Sequence, residues 1–592
     1  MSHSSGPEEG TPASEHLRGT KPPGVRELTL RTVIVAGLVA AIMGASYPYI
    51  VLKLGFGPNV SVVAAFFGYL FLGLFFKNFN RWENNIVQTA GTSAAQMAFM
   101  CVLLGAFDML RYNTKGEFNI HLSPWQSFFW LSAAGVLGIL MAVPLRQHFV
   151  VDEKLTYADG VAAGETLIVL DSRGKGARNA ALAMGAATIA SALLMVVRED
   201  VPVVRWIPET LLLGPVLVQS MNVGVSYSFL SLGSGLLVGL RVNASMMLGG
   251  MIAWVVAPYL LTHQGWLHAN PARKEVLFWI MWPATGMLVS AGLTALVLRW
   301  NVLVKTFKNL AGAQMSGAEI PLRTVGIGIL ISGGALVFIQ KVSLDIPVWM
   351  TLAAIVLSLP LMLVGLRVLG ETNWGPISAL SNMMQGIFAL LAPGHIAANM
   401  TASGTTGTIA TSSEAIMQDY KAGYMIGSTP RLLAYAQLLA VPIGAAAVSW
   451  TYPLLVKQYG ITGPDAQLSS PISAKWAGFA QLLKSGFDAM PKNAGWAVLI
   501  FALLGILFTV LEDNRKIRTW VPSPTSIGIG MLVPFSVVST MFLGGVWGYV
   551  WSKADKKSYD IYGTPIASGM IAGEAIVAVI IPILVALGVL HV

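Results

Sequence analysis

Residues 31–51, RTVIVAGLVAAIMGASYPYIV, carry a charge only at their first position and then run apolar for about the 20 residues that cross a hydrocarbon core as a helix. Residues 565–590, PIASGMIAGEAIVAVIIPILVALGVL, repeat the pattern near the other end of the chain. Neither alternates apolar and polar positions over ~10 residues, as the strands of a membrane barrel do. Backbone amides in lipid must be paired within their own segment or in a closed barrel, so these stretches are read as helices. Between them, comparable runs fall at 59–76, 84–105, 126–145, 179–197, 243–262, 276–299, 324–340, 347–369, 431–456 and 494–511. The predicted fold class is an all-α polytopic membrane protein.

Composition agrees. Charged residues make up 11% of the 592 positions and hydrophobic ones 55%, against ~25% charged in soluble domains. The single cysteine, Cys101, excludes an intrachain disulfide and a cysteine-based metal cluster. The eight histidines are scattered, so neither a metal site nor a cofactor is predicted. The net charge of +9, 37 basic against 28 acidic residues, does not require nucleic acid, because the basic residues cluster at segment ends, where positive charge marks the cytoplasmic face. Arg18, Lys21, Arg26 and Arg31 accordingly predict a cytoplasmic N-terminus. Residues 1–27 are polar with no apolar core, which predicts a disordered tail and no cleavable signal peptide. The segment 457–493 is expected outside, with a short amphipathic piece near 473–487. No GxxxxGK[ST] phosphate loop and no soluble ATPase domain is present, so any transport would be secondary.

Some stretches do not fit a simple span. Residues 155–170 are short and carry Asp159 and Glu165; 207–241 is interrupted by Gly214 and Pro215, and 521–551 by Pro534. Residues 373–421 hold two short apolar pieces around APG (392–394), then a Thr/Ser/Gly run at 401–413. That run is expected to be irregular or re-entrant backbone facing a central cavity, since such backbone cannot face lipid. Interrupted segments in corresponding places of two halves point to a transport site. A duplication is suggested by GETLIVLDSRGKGAR (164–178) beside SEAIMQDYKAGYMIGSTPR (413–431), and by LGSGLLVGLRVNASMMLGG (232–250) beside LGGVWGYVWSK (543–553) with GTPIASGMIAG (563–573). The expected organisation is a tail at 1–27 and membrane halves at 28–310 and 311–592.

Polar residues inside the apolar segments are the site candidates. Glu414, Gln418 and Lys421 stand at i, i+4 and i+7, putting acid, amide and base on one helix face, with Asp419 on another. A charge deep in a bilayer costs at least ~2.5–3.5 kcal/mol. It must be paired or face water; the alternative for Lys421 and Asp419 is that they are ordinary interfacial residues at the cytoplasmic end of a helix. Glu414 is the first candidate for proton coupling, followed by Glu574, then Glu165, Asp419 and Lys421. Glu574 has no basic neighbour in sequence and is expected to protonate or face an aqueous cavity; Glu165 is expected to be more buried than Asp171. Asn84, Gln88, Thr92 and Gln96 recur every four residues and read as a cavity wall, with interhelical hydrogen bonding as the alternative. Glu83 is expected to pair with Arg81 at the surface. Asn222, Tyr227, Asn373, Asn382, Gln385 and Gln418 complete the substrate-binding candidates.

SSEAIMQDYKAGYMIGSTPR (412–431) resembles the Met-Gln-Asp-aromatic-Lys-x-Gly stretch and following Ser/Thr-Pro-Arg of the oligopeptide transporter (OPT) superfamily, closest to its yellow-stripe-like branch and prokaryotic relatives. ENNIVQTAG (83–91), KLTYADGVAAGETL (154–167), VPSPTSIGIGMLVPF (521–535) and ASGMIAGEAI (567–576) resemble other motifs of that family. The resemblance implies 14–16 helices arisen by duplication, and proton-coupled import of short peptides or metal–chelator complexes across the cell membrane. The Asn-Pro-Gly tripeptide of the eukaryotic peptide-transporting branch is absent, which leans towards chelates. A homodimer is left open. The competing readings are a membrane-embedded enzyme using Glu165, Glu414 or Asp419 as acid or base, and a passive channel.

Overall fold

The computed structural model describes residues 20–589 apart from 55–59, 199–205, 216–219, 299–319, 486–489 and interruptions of three residues or fewer. Among the described residues, eleven helices are long and apolar enough to cross a membrane. Among the same residues, strand is confined to a small antiparallel pair, Thr210–Leu212 against Gly224–Ser226, with Thr210 opposite Ser226. The protein is an all-α multi-pass membrane protein.

One group of helices forms around Ile396–Ile426. This helix touches Arg81–Ala98, Pro124–Ala142, Ala158–Asp171, Val348–Thr372 and Ile377–Leu391, and almost every residue along it is buried. The Thr/Ser/Gly run is therefore not irregular, contrary to the expectation for 401–413. The hydroxyls of Thr406 and Thr408 donate to the carbonyls of Ala402 and Gly404 one turn back, at 3.0 and 2.7 Å, which satisfies them inside a regular helix. Close packing needs the small residues: a Cβ on Gly138 of the facing helix would stand 2.5 Å from the Ile409 carbonyl oxygen.

Leu30–Leu54 packs on Arg81–Ala98, and both pack on Pro430–Tyr459. Asn80 and Glu83 cap the 81–98 helix reciprocally. Glu83 also receives both arms of the Arg31 guanidinium at 2.8 and 2.7 Å, and its side chain is fully buried. The expected surface pair with Arg81 is not formed. Arg81 instead reaches Asp171 at 3.9 Å. The end of the 1–27 segment is packed as well, Glu27 being buried and accepting the Thr429 amide at 3.0 Å, while residues 1–19 lie outside the described residues.

The second group joins Lys175–Val196, Phe229–Val238 and Lys556–Ala586. The interruption expected at Pro534 is present, Pro524–Leu532 and Phe535–Ala554 being separated by Val533 and Pro534. In 207–241 the strand Thr210–Leu212 ends just before Gly214, at φ +92°. A further break, not expected from the sequence, separates Phe229–Val238 from Leu240–Gly250 at Gly239, φ +88°. The broken helices pack reciprocally: 229–238 lies on 535–554, and 240–250 on 524–532.

Candidate functional site

A cavity of about 290 Å³ lies between the helices around 396–426 and the 524–532 helix. Gln418 and Glu414 face it from the 396–426 helix, Gln96 from 81–98, Asp159 from 158–171, Ser378 from 377–391, and Thr525 from the start of 524–532. Lys475 enters from Pro471–Ser485. The 471–485 helix, expected as a short amphipathic piece, is packed into the bundle. Its Ser473, Trp476 and Ala477 are fully buried, and it packs on Cys101–Asn113, Arg273–Leu298, 377–391 and 396–426. Ser470 anchors its start, donating its amide to the Leu52 carbonyl at 2.7 Å. A second cavity, about 320 Å³, is lined by Asp108, Arg111, His121 and Tyr452 and contains none of the residues singled out by the sequence.

Glu414 is the notable member of the cavity. It is buried, no described residue donates a hydrogen bond to it or pairs with it, and its Oε1 has no partner. Glycine makes room for it: a Cβ on Gly365 would stand 3.3 Å from Oε1, and one on Gly375 would collide with Oε2. Lys475 is buried too; its ammonium donates to the Ser378 hydroxyl, which also accepts from the Trp476 indole at 2.9 Å. Among the described residues no carboxylate comes within ion-pair distance of Lys475. The cavity thus holds an acid and a base, each without an ionic partner among the described residues.

The other candidates are distributed differently. Of the stripe 84–96, only Gln96 reaches the cavity. Asn84 donates to the Ala65 carbonyl at 3.2 Å, and Gln88 donates to Thr92 at 3.0 Å and to Asp419 at 2.6 Å. Interhelical hydrogen bonding, the alternative, describes Asn84 and Gln88, whereas Thr92 is bonded within its own helix. Gln437 supplies the second amide to Asp419, at 2.5 Å. Lys421 turns away and donates to the Leu155 carbonyl at 2.9 Å. Gln385 is buried and donates to the Trp476 carbonyl at 3.1 Å; Asn382 is buried with both amide atoms unpartnered. Asn222 sits at φ +63° beside the strand pair, Tyr227 is 39% exposed, and neither lines the cavity. Glu165 is exposed, and so is Asp171, so the expected difference in burial between them is absent. Asn373 lies outside the described residues.

Glu574 is corrected most sharply. It is neither alone nor facing an aqueous cavity: Arg198 lies 2.8 Å and Lys53 3.4 Å from Oε1, Ser228 donates at 2.8 Å, and the Leu230 amide at 3.0 Å. Lys475 was missed because 473–487 reads as a short amphipathic piece outside the bundle, and with it Ser378, whose role depends on Lys475. The signal available was a lone lysine among Ala474, Trp476, Ala477 and Gly478, small residues suited to close helix contact. Among the described residues no group of three metal-ligating side chains occurs.

The family model described as OPT oligopeptide transporter protein matches residues 27–585. The chain is 23% identical, over 93% of its length and 84% of the relative's, to "Probable metal-nicotianamine transporter YSL14" of Oryza sativa subsp. japonica. It is 24% identical to "Putative oligopeptide transporter" of Haemophilus influenzae, over 91% of its own length and 92% of the relative's. A "Putative oligopeptide transporter" of Saccharomyces cerevisiae is matched at 23% identity over 98% of this chain and 100% of that one.

Proposed function

Because this chain belongs to the oligopeptide transporter (OPT) family, we propose that it is a proton-coupled secondary transporter that imports short peptides or peptide-like metal chelates through the central cavity by alternating access. The observation that carries the reading is Glu414, a buried cavity carboxyl that no described residue pairs with. A carboxyl so placed serves transport better than stability, since burying an unpaired charge is costly. Glu414 takes the role of proton carrier, and Gln96 and Gln418 that of polar contacts to the substrate. Asp419, enclosed by Gln88 and Gln437, is the second acid of the same helix. The names of the relatives support the two substrate classes. The reciprocal packing of the broken helices supports a two-part machine derived from a duplicated unit. The chain resides in the cell membrane with its N-terminus in the cytoplasm.

The test is uptake into proteoliposomes under an imposed proton gradient. Wild type accumulates substrate only with the gradient. Glu414→Gln retains exchange of substrate across the membrane but loses accumulation. Uptake by wild type that ignores the gradient overturns the coupling, and accumulation by the mutant with wild-type gradient dependence moves the proton to another acid. Product formation in detergent, without a sealed compartment, would instead favour the enzyme reading.

A further inference from the structure

We propose that Lys475 is the receptor for a carboxylate of the substrate, so that the transported molecule must carry a free carboxylate. This rests on the transport reading of the cavity and adds its chemical requirement. The first argument is the charge balance of the site. An ammonium in a buried position needs an anion or a full set of acceptors, and its three N–H groups find one side-chain acceptor here, the Ser378 hydroxyl. No described carboxylate lies within ion-pair distance, although Asp159 and Glu414 line the same cavity.

The second argument is rigidity. Trp476, fully buried, donates to the same Ser378 oxygen at 2.9 Å, and its carbonyl accepts from Gln385 at 3.1 Å. Ser473 on the same helix donates to the Val102 carbonyl at 2.7 Å. The lysine is therefore held at the wall by two neighbouring helices, 377–391 and 101–113, whereas a merely structural lysine would extend its head to water along the surface. A fixed cation at a cavity wall is worth most to an anion that arrives with the substrate and displaces water, because charge-assisted hydrogen bonds strengthen as water is excluded. The third argument is size: about 290 Å³ is at the small end of ligand pockets, which run ~300–1,000 Å³. It suits a substrate of a few residues, whose terminal carboxylate is close to every other part of it.

The experiment is a thermal-shift titration of the purified protein in detergent with trialanine, trialanine amide and iron(II)–nicotianamine. Wild type is expected to be stabilised by trialanine or by the chelate, and the amide to bind about tenfold or more weakly than trialanine where trialanine binds. Lys475→Met should weaken the carboxylate-bearing ligand by the same factor and leave the amide's weak response unchanged, while Lys475→Arg keeps most of the affinity. If wild type binds acid and amide equally, or Lys475→Met leaves the carboxylate-bearing ligand's affinity unchanged, the lysine's role is overturned and the transport reading stands. If none of the three probes stabilises wild type, both are overturned. Circular dichroism and gel filtration of Lys475→Met separate a lost contact from a lost fold.

Discussion

Glu574 shows how a buried charge is decided by partners far away in sequence. Its carboxylate is shared by Arg198 and Lys53, with Ser228 and the Leu230 amide completing the shell. One anion thus ties together the end of the first helix, the segment after 175–196, the start of 229–238 and the last helix. Removing it leaves two buried cations facing each other, and breaking a buried pair costs ~3–5 kcal/mol. Glu574→Gln should therefore lower the apparent melting temperature in detergent markedly. Adding Arg198→Met to that mutant should recover part of the loss. No recovery in the double mutant would show that the damage is steric and not electrostatic. From the sequence, the need for a partner was legible, because a glutamate inside an apolar span demands one. The partner was not: Lys53 precedes Glu574 by 521 positions, and no local pattern connects them. The same reason hid the amides around Asp419, whose donors sit on two other helices.

At the scale of elements, small residues carried two meanings that composition alone cannot separate. In the 401–413 run they mark a packing surface in a continuous helix, because hydroxyls bond back along their own helix and glycines admit neighbours. At Gly239 and around Pro534 they mark true interruptions; there the residue lacks either a helical φ or an amide hydrogen. The spans themselves were legible because apolar length is an absolute requirement of the bilayer. The depth of 471–485 was not, since fifteen residues with two lysines satisfy an interfacial helix equally well. Gly235 tests the packing role. A Cβ there would collide with the Met541 carbonyl oxygen of the partner helix, and overpacking of this kind costs ~1–3 kcal/mol. Gly235→Ala should lower thermal stability. Gly185→Ala, where a Cβ meets nothing within 4 Å, should leave it unchanged or raise it slightly, as alanine is favoured over glycine in helices by roughly 0.5–1 kcal/mol. Equal effects of the two would refute the close-packing account of the 229–238 and 535–554 contact.

For the molecule as a whole, the distinction that matters is between a transporter, a channel and an enzyme, and the chain offers an unusually direct probe. Its only cysteine, Cys101, is fully buried, so the natural protein should react negligibly with a membrane-impermeant maleimide. A cysteine placed at Gln418 on the cavity wall would report which side of the membrane the cavity meets, and one placed at Gln88, fully buried and outside the cavity, would report unrelated loosening. Alternating access requires that the cavity open to one side at a time and that substrate shift the balance, which it does only through a difference in affinity between the two states. Gln418→Cys should thus be labelled from one face in intact cells or inverted vesicles, with a rate that changes when substrate saturates the site, while Gln88→Cys stays protected throughout. Labelling from both faces with no response to substrate would describe a channel. Labelling of Gln88→Cys at a rate similar to Gln418→Cys would mean that the helices around 396–426 separate as a whole, and the cavity would then be a gap between moving parts rather than a fixed site reached from alternate sides.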